Sequence, residues 1–269
     1  IGEASIGWCG YPLDKRIFPW NHANCGDLNL SGERRPQSYL RETLWSDAPV
    51  SHIVVTPPVP SFPLNPNKAD WSVWDFPDVV DHWNFPGYEG KKMTVSVYSN
   101  CEQVELFLNG ESLGKQENTA DKKNTLVWEV PYAHGILKAV SYNKGGEVGT
   151  ATLESAGKVE KIRLSADRTE IVADGNDLSY ITLELVDSKG IRNQLAEELV
   201  EFSIAGDATI EGVGNANPMS IESFVANSRK TWRGSNLLVV RSGKSSGRII
   251  VTAKVKALPV ASITITQKK

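Results

Sequence analysis

The sequence predicts an all-β fold made of two sandwiches in tandem, and three observations carry that expectation. Apolar residues recur at every second position through most of the chain beyond residue 92. Turn signals such as Asn109-Gly110 and Asp187-Ser188-Lys189-Gly190 interrupt the alternation at short intervals. The alternation also stops and restarts once, across the short linker Ala156-Gly157-Lys158.

One helix precedes the strands. In RPQSYLRETLWSD, from Arg35 to Asp47, Pro36 suits a first helical turn, and Tyr39, Leu40, Thr43 and Leu44 share one face at helical spacing. Residues 48–90 are rich in proline and tryptophan and show little alternation. Proline withholds a backbone donor from a sheet, so this stretch is expected to be mostly irregular, pinned by buried indoles such as Trp71, Trp74 and Trp83, with one edge strand from Val50 to Thr56.

The first sandwich follows. Met93, Val95 and Val97 alternate with polar neighbours, as do Val104, Leu106 and Leu108, and Asn109-Gly110 then turns a hairpin because both residues accept positive φ. Leu126, Trp128 and Val130 continue the pattern. ILKAVSY, a turn at Gly145-Gly146, and VGTATL complete about seven short strands ending near Ser155. The second sandwich starts with Ile162 and Leu164. Ile181, Leu183 and Leu185 form its next strand, and Val200, Phe202 and Ile204 return after the DSKG turn. Further strands lie at LLVVRS, RIIVTAKV and ASITIT, with Lys254, Lys256, Lys268 and Lys269 expected to guard strand edges.

Composition narrows the function classes. A hydrophobic content of 40% and a charged content of 23% over 269 residues suit an ordinary globular protein of two domains or two plus a remnant. A net charge of -3 without a Lys/Arg block argues against nucleic acid as a partner. No apolar run approaches the roughly 20 residues a bilayer-crossing helix needs. Cys9, Cys25 and Cys101 are too few for a disulfide framework, and the four histidines lie too far apart for a zinc site, so no metal or cofactor is expected. Asp174, Asn176 and Asp177 read as a tight turn, since a calcium loop needs more carboxylates in register. GVGNAN is followed by Pro218 and no helix, which excludes a phosphate-binding loop.

Three stretches carry a resemblance. GEASIGWCGYP with CGDLNLSGERRPQSYLRETLW is similar to the last loop and closing helix of the catalytic barrel in glycoside hydrolase family 2, the β-galactosidase group. WNFPGYEGKKMTVSVYSNCEQVELFLNGESLG resembles the immunoglobulin-like module that follows that barrel. VEKIRLSADRTEIVADGNDLSYITLELVDSKGIR and the stretch from GVGNANP to RIIVTA resemble its C-terminal bacterial immunoglobulin-like domain. The resemblance implies three parts: residues 1–47 as a short remnant of a (β/α)8 barrel, 48–156 as one immunoglobulin-like sandwich and 157–269 as a second.

In this family two glutamates on barrel strands perform the hydrolysis, and both precede the segment matched here. Glu3, Asp14, Asp27 and Glu33 fall on expected loops with no strand to aim a pair, so no catalytic residue is assigned. Trp8 is the one substrate-binding candidate. By resemblance its loop lies beside the sugar site, where a flat indole stacks on a pyranose; the competing reading packs Trp8 with Tyr11 and Trp20 against the barrel. The resemblance thus implies the non-catalytic C-terminal portion of a periplasmic or secreted glycosidase. Its partners would be carbohydrate, through the parent enzyme, and its own missing barrel. A carbohydrate-binding or adhesin module without catalysis is the alternative, because sandwich folds host many functions.

Overall fold

A computed structural model describes residues 19, 26–62 and 77–269. The chain divides into two compact units, Ile1–Ser155 and Ala156–Lys269.

The first unit contains the one α-helix among the described residues, α1 (Pro36–Trp45), with Pro36 in its first turn, where a missing N–H costs nothing. Its buried residues are Pro36, Gln37, Ser38 and Thr43, whereas Leu44 and Trp45 are exposed, so the expected Tyr39-Leu40-Thr43-Leu44 face is only partly inward. Strands β1 (Ser51–Val55), β2 (Lys92–Ser99), β3 (Gln103–Leu108), β4 (Glu111–Glu117), β5 (Thr125–Pro131), β6 (Ile136–Asn143) and β7 (Gly146–Glu154) follow.

They form two antiparallel sheets ordered β1-β2-β5 and β4-β3-β6-β7. The alternating residues Met93, Val95, Val97, Val104, Leu106, Leu108, Leu126, Trp128 and Val130 all enter one core between them. A one-residue slip would turn each set to solvent, which is why the alternation specifies the register. Asn109 and Gly110 both adopt positive φ, as the hairpin requires. The next hairpin turns at Lys144-Gly145, one residue earlier than expected, because Gly146 already pairs with Asn143 at the start of β7.

Trp83 pins the proline-rich segment. It is fully buried, its Nε1 donates to Ala133 O at 2.8 Å, and its ring meets Phe85 and Tyr132 edge-on at 6.0 and 5.0 Å. Trp71 and Trp74 lie outside the described residues.

The second unit comprises β8 (Lys161–Ala166), β9 (Glu170–Val172), β10 (Leu178–Val186), β11 (Leu199–Ala205), β12 (Ala208–Gly214), β13 (Ser228–Lys230), β14 (Ser235–Ser242), β15 (Gly247–Val255) and β16 (Ala261–Lys268). Its sheets run β12-β14-β10-β8 and β13-β11-β15-β16-β9, with Ile181, Leu183, Leu185, Phe202, Leu238, Val251 and Ile265 in the shared core. β16 pairs in parallel with β9, and antiparallel with β15. Lys254 therefore sits on an interior strand, facing solvent across the sheet plane, while β13 and β9 are the edges of its sheet. Lys268 Nζ instead pairs with Glu170 of β9 at 2.5 Å.

Candidate functional site

Helix α1 and strand β1 build a polar and aromatic cluster. The Arg34 guanidinium lies 3.8 Å from the Tyr39 ring centroid, with Nη2 on Glu42 Oε2 at 2.6 Å and Nε donating to Ser38 Oγ at 3.0 Å. The far side of Tyr39 stacks on the His52 imidazole. Burial pushes the His52 pKa down to about 4; Arg34 adds to that, while Asp81 and Glu42 oppose it. The ring is therefore neutral at physiological pH and packs as an aromatic plate. Its Nε2 is buried with no hydrogen-bond partner among the described residues.

This cluster lacks what nucleophilic catalysis requires. Cys101, the described cysteine, is buried and its thiol makes only a long contact, 3.8 Å, to Asn100 Oδ1. The serine hydroxyls of Ser51, Ser99 and Ser141 bond to one another at 3.0 and 2.5 Å across three strands, linking the two sheets, and among the described residues no basic side chain hydrogen-bonds to them. The arrangement acts as a joint between helix and sheet.

The carboxyl groups point the same way. Each carboxyl whose pKa is clearly displaced among the described residues is displaced downward. Asp174 accepts the Asn176 and Asp177 N–H groups at 2.8 Å each, and Asp177 accepts those of Val172 and Leu178. Burial pushes Asp187 up, but the N–H groups of Gly157, Ile191 and Lys189 outweigh it. Asp207 is held down by the Ser245 hydroxyl and the Ser245 and Lys244 N–H groups. Such anions clamp turns. A glycosidase acid needs the reverse, a carboxyl kept protonated by its surroundings. Asp174, Asn176 and Asp177 thus form the expected turn, and among the described residues no group of three His, Cys, Asp or Glu side chains could hold a metal ion.

Trp8, with Glu3 and Asp14, lies outside the described residues. Asp27 is described: it is buried and pairs with Arg41 at 3.2 Å. Glu33 is engaged with the Asn29 side-chain amide at 3.0 Å.

A further arrangement escaped sequence reasoning. Arg229 of β13 is 1% exposed and donates to Val213 O, Glu222 O and Ser220 Oγ at 3.2, 3.1 and 3.0 Å. Burial lowers its pKa, and the Glu222 carboxylate partly restores it. The only hint in the sequence is an arginine at the centre of SRK, where a short strand has no period to show which way it faces.

Residues 162–264 match the family described as glycoside hydrolase family 2 C-terminal domain 5, and residues 90–149 match a domain of unknown function (DUF4982). A crystal structure of a glycosyl hydrolase family 2 member from Bacteroides cellulosilyticus is 99% identical with a TM-score of 0.94, covering 99% of this chain and 34% of that chain. The chain belongs to glycoside hydrolase family 2, in its C-terminal region. Among other family 2 relatives, β-galactosidase BoGH2A of Bacteroides ovatus is 30% identical over 253 residues, which is 94% of this chain and 26% of that protein. A β-glucuronidase of Formosa agariphila is 30% identical over 205 residues, 74% of this chain and 20% of that protein. The chain therefore spans about a fifth to a third of the length of these family 2 proteins.

Proposed function

We propose that this chain is the non-catalytic C-terminal part of a β-galactosidase-like glycosidase, bracing a catalytic barrel and hydrolysing nothing by itself. Residues 1–47 would close that barrel, and 48–156 and 157–269 would be the two supporting sandwiches. The carrying observation is the state of the carboxyl groups among the described residues: those that are clearly perturbed are held ionised by turn N–H and hydroxyl donors, and none of these is pushed toward the protonated form that a glycosidase acid needs. The match of residues 162–264 to a family 2 C-terminal domain supports the same reading.

Carbohydrate is then the substrate of the whole enzyme, and Trp8 is the residue of this chain proposed to touch it. A periplasmic or extracellular location follows from the same reading. The test compares this 269-residue chain with the longer polypeptide containing it, on chromogenic β-galactoside and β-glucuronide. Turnover by the longer protein alone is expected. Turnover by this chain, abolished by a substitution within it, would sink the proposal.

A further inference from the structure

The loop joining β12 to β13 is apolar at its tip and hydrogen-bonded underneath. Ile221 and Val225 are 82% and 81% exposed and Phe224 is 50% exposed. Beneath them the three Arg229 hydrogen bonds tie both limbs of the loop to β12 and to one another. Val213 N donates to Phe224 O at 2.8 Å, Asn215 Nδ2 to Lys230 O at 2.9 Å, Met219 N to Asn217 Oδ1 at 2.9 Å and Lys230 N to Glu222 Oε1 at 3.0 Å. Asn215, Asn217, Ser220 and Glu222 are therefore used up in bonds within the loop and to β13, while Ile221, Phe224 and Val225 face outward. Loops that only connect strands more often carry Gly, Pro, Asn, Asp or Ser at the tip. Apolar side chains held ready in water cost free energy unless a partner covers them.

We propose that Ile221, Phe224 and Val225 dock on the part of the family 2 polypeptide that lies outside this chain, which covers 34% of its 99% identical counterpart. This rests on the reading of the chain as the C-terminal part of a longer enzyme. The socket is an apolar protein surface without charge at its centre. Sugar is a poor occupant, because Ile221 and Val225 offer no flat plate and one face of Phe224 is covered by the Arg229 guanidinium at 4.3 Å. A second copy is a poor occupant as well. Three side chains present on the order of a few hundred Å², well short of the roughly 1,000 Å² a free-standing interface needs. A partner on the same chain needs less area, because its effective concentration is already in the millimolar range.

The experiment measures hydrogen exchange at residues 219–226 in this chain, in the longer parent polypeptide, and in the parent carrying I221S and V225S. Those substitutions leave Arg229 and its acceptors in place. Docking predicts exchange slower by about 10-fold or more in the parent than in this chain, and a return to within about 2-fold on double substitution. Equal exchange at the two lengths, or protection that survives the double substitution, overturns the proposal. So does protection that grows with protein concentration while light scattering shows a doubled mass, or protection of this chain by added oligosaccharide. Glycosidase activity of the parent, measured on the same preparation, reports separately on the enzyme reading: an inactive parent with a protected loop refutes that reading and leaves the docking intact.

Discussion

The His52 imidazole lies flat on the Tyr39 ring, centroids 3.6 Å apart and planes within 9° of parallel, so strand β1 and helix α1 meet through two aromatic plates. Protonation of His52 would place a cation in a buried stack already topped by Arg34. The folded pKa is about 4 against 6.5 for an unperturbed imidazole. Above pH 6.5 the ring is neutral folded or unfolded, and stability is at its full value. As pH falls from 6.5 toward 4, only the unfolded chain gains the proton, and the first unit loses roughly 3 kcal/mol by the lower limit. Denaturant unfolding of wild type and His52→Phe across pH 8 to 4 checks this. The variant's curve should be flatter through that window, and identical slopes would refute the role given to His52.

Trp83 supplies the second prediction. Trp83→Phe removes the donor to Ala133 O, leaving that half-buried carbonyl unpaired, and opens a small void in the core. The loss should be about 2 kcal/mol, and about 3–5 kcal/mol for Trp83→Ala. Urea unfolding followed by fluorescence gives the number.

The turn between β11 and β12 gives the third. Gly206 has φ +115°, and a Cβ there would sit 2.4 Å from Arg248 O on the backbone of β15. Neither the left-handed conformation nor an interior strand of the five-stranded sheet yields cheaply. Gly206→Ala should destabilise the second unit by roughly 3 kcal/mol, seen as a lower thermal midpoint with the first unit's transition unchanged.

Arg229 is the fourth. A lysine keeps the charge but cannot fork to Val213 O, Glu222 O and Ser220 Oγ together. Arg229→Lys should speed amide exchange in residues 220–225 by about 10-fold while the β10 and β14 amides keep their rates. Uniform acceleration across the unit would show that Arg229 supports the whole sandwich rather than the loop.

The sandwich strands are legible in the sequence wherever one face meets the core and the other meets water, as with Val104, Leu106 and Leu108. Strands β9 and β13 are not, because three residues contain too little of a two-residue period to register. β12 hides for another reason: its register shifts between Ile210 and Gly212, so its alternation breaks midway. The inward turn of Thr43 is legible in the helical spacing, while the exposure of Leu44 is not, since spacing cannot say how wide the buried stripe is. The loop between β12 and β13 is least legible of all. Ile221, Phe224 and Val225 look like core residues by type, and nothing in their spacing shows that they stand exposed in the folded chain.

The parallel pairing of β16 with β9 has a consequence for biogenesis. The last strand is hydrogen-bonded on both sides, to β15 and to a segment some hundred residues earlier. During synthesis the five-stranded sheet therefore stays open, with β9 unclaimed, until β16 has emerged from the ribosome. The second unit closes only once β16 is available, and loss of β16 strips a partner from β15 and from β9 at once.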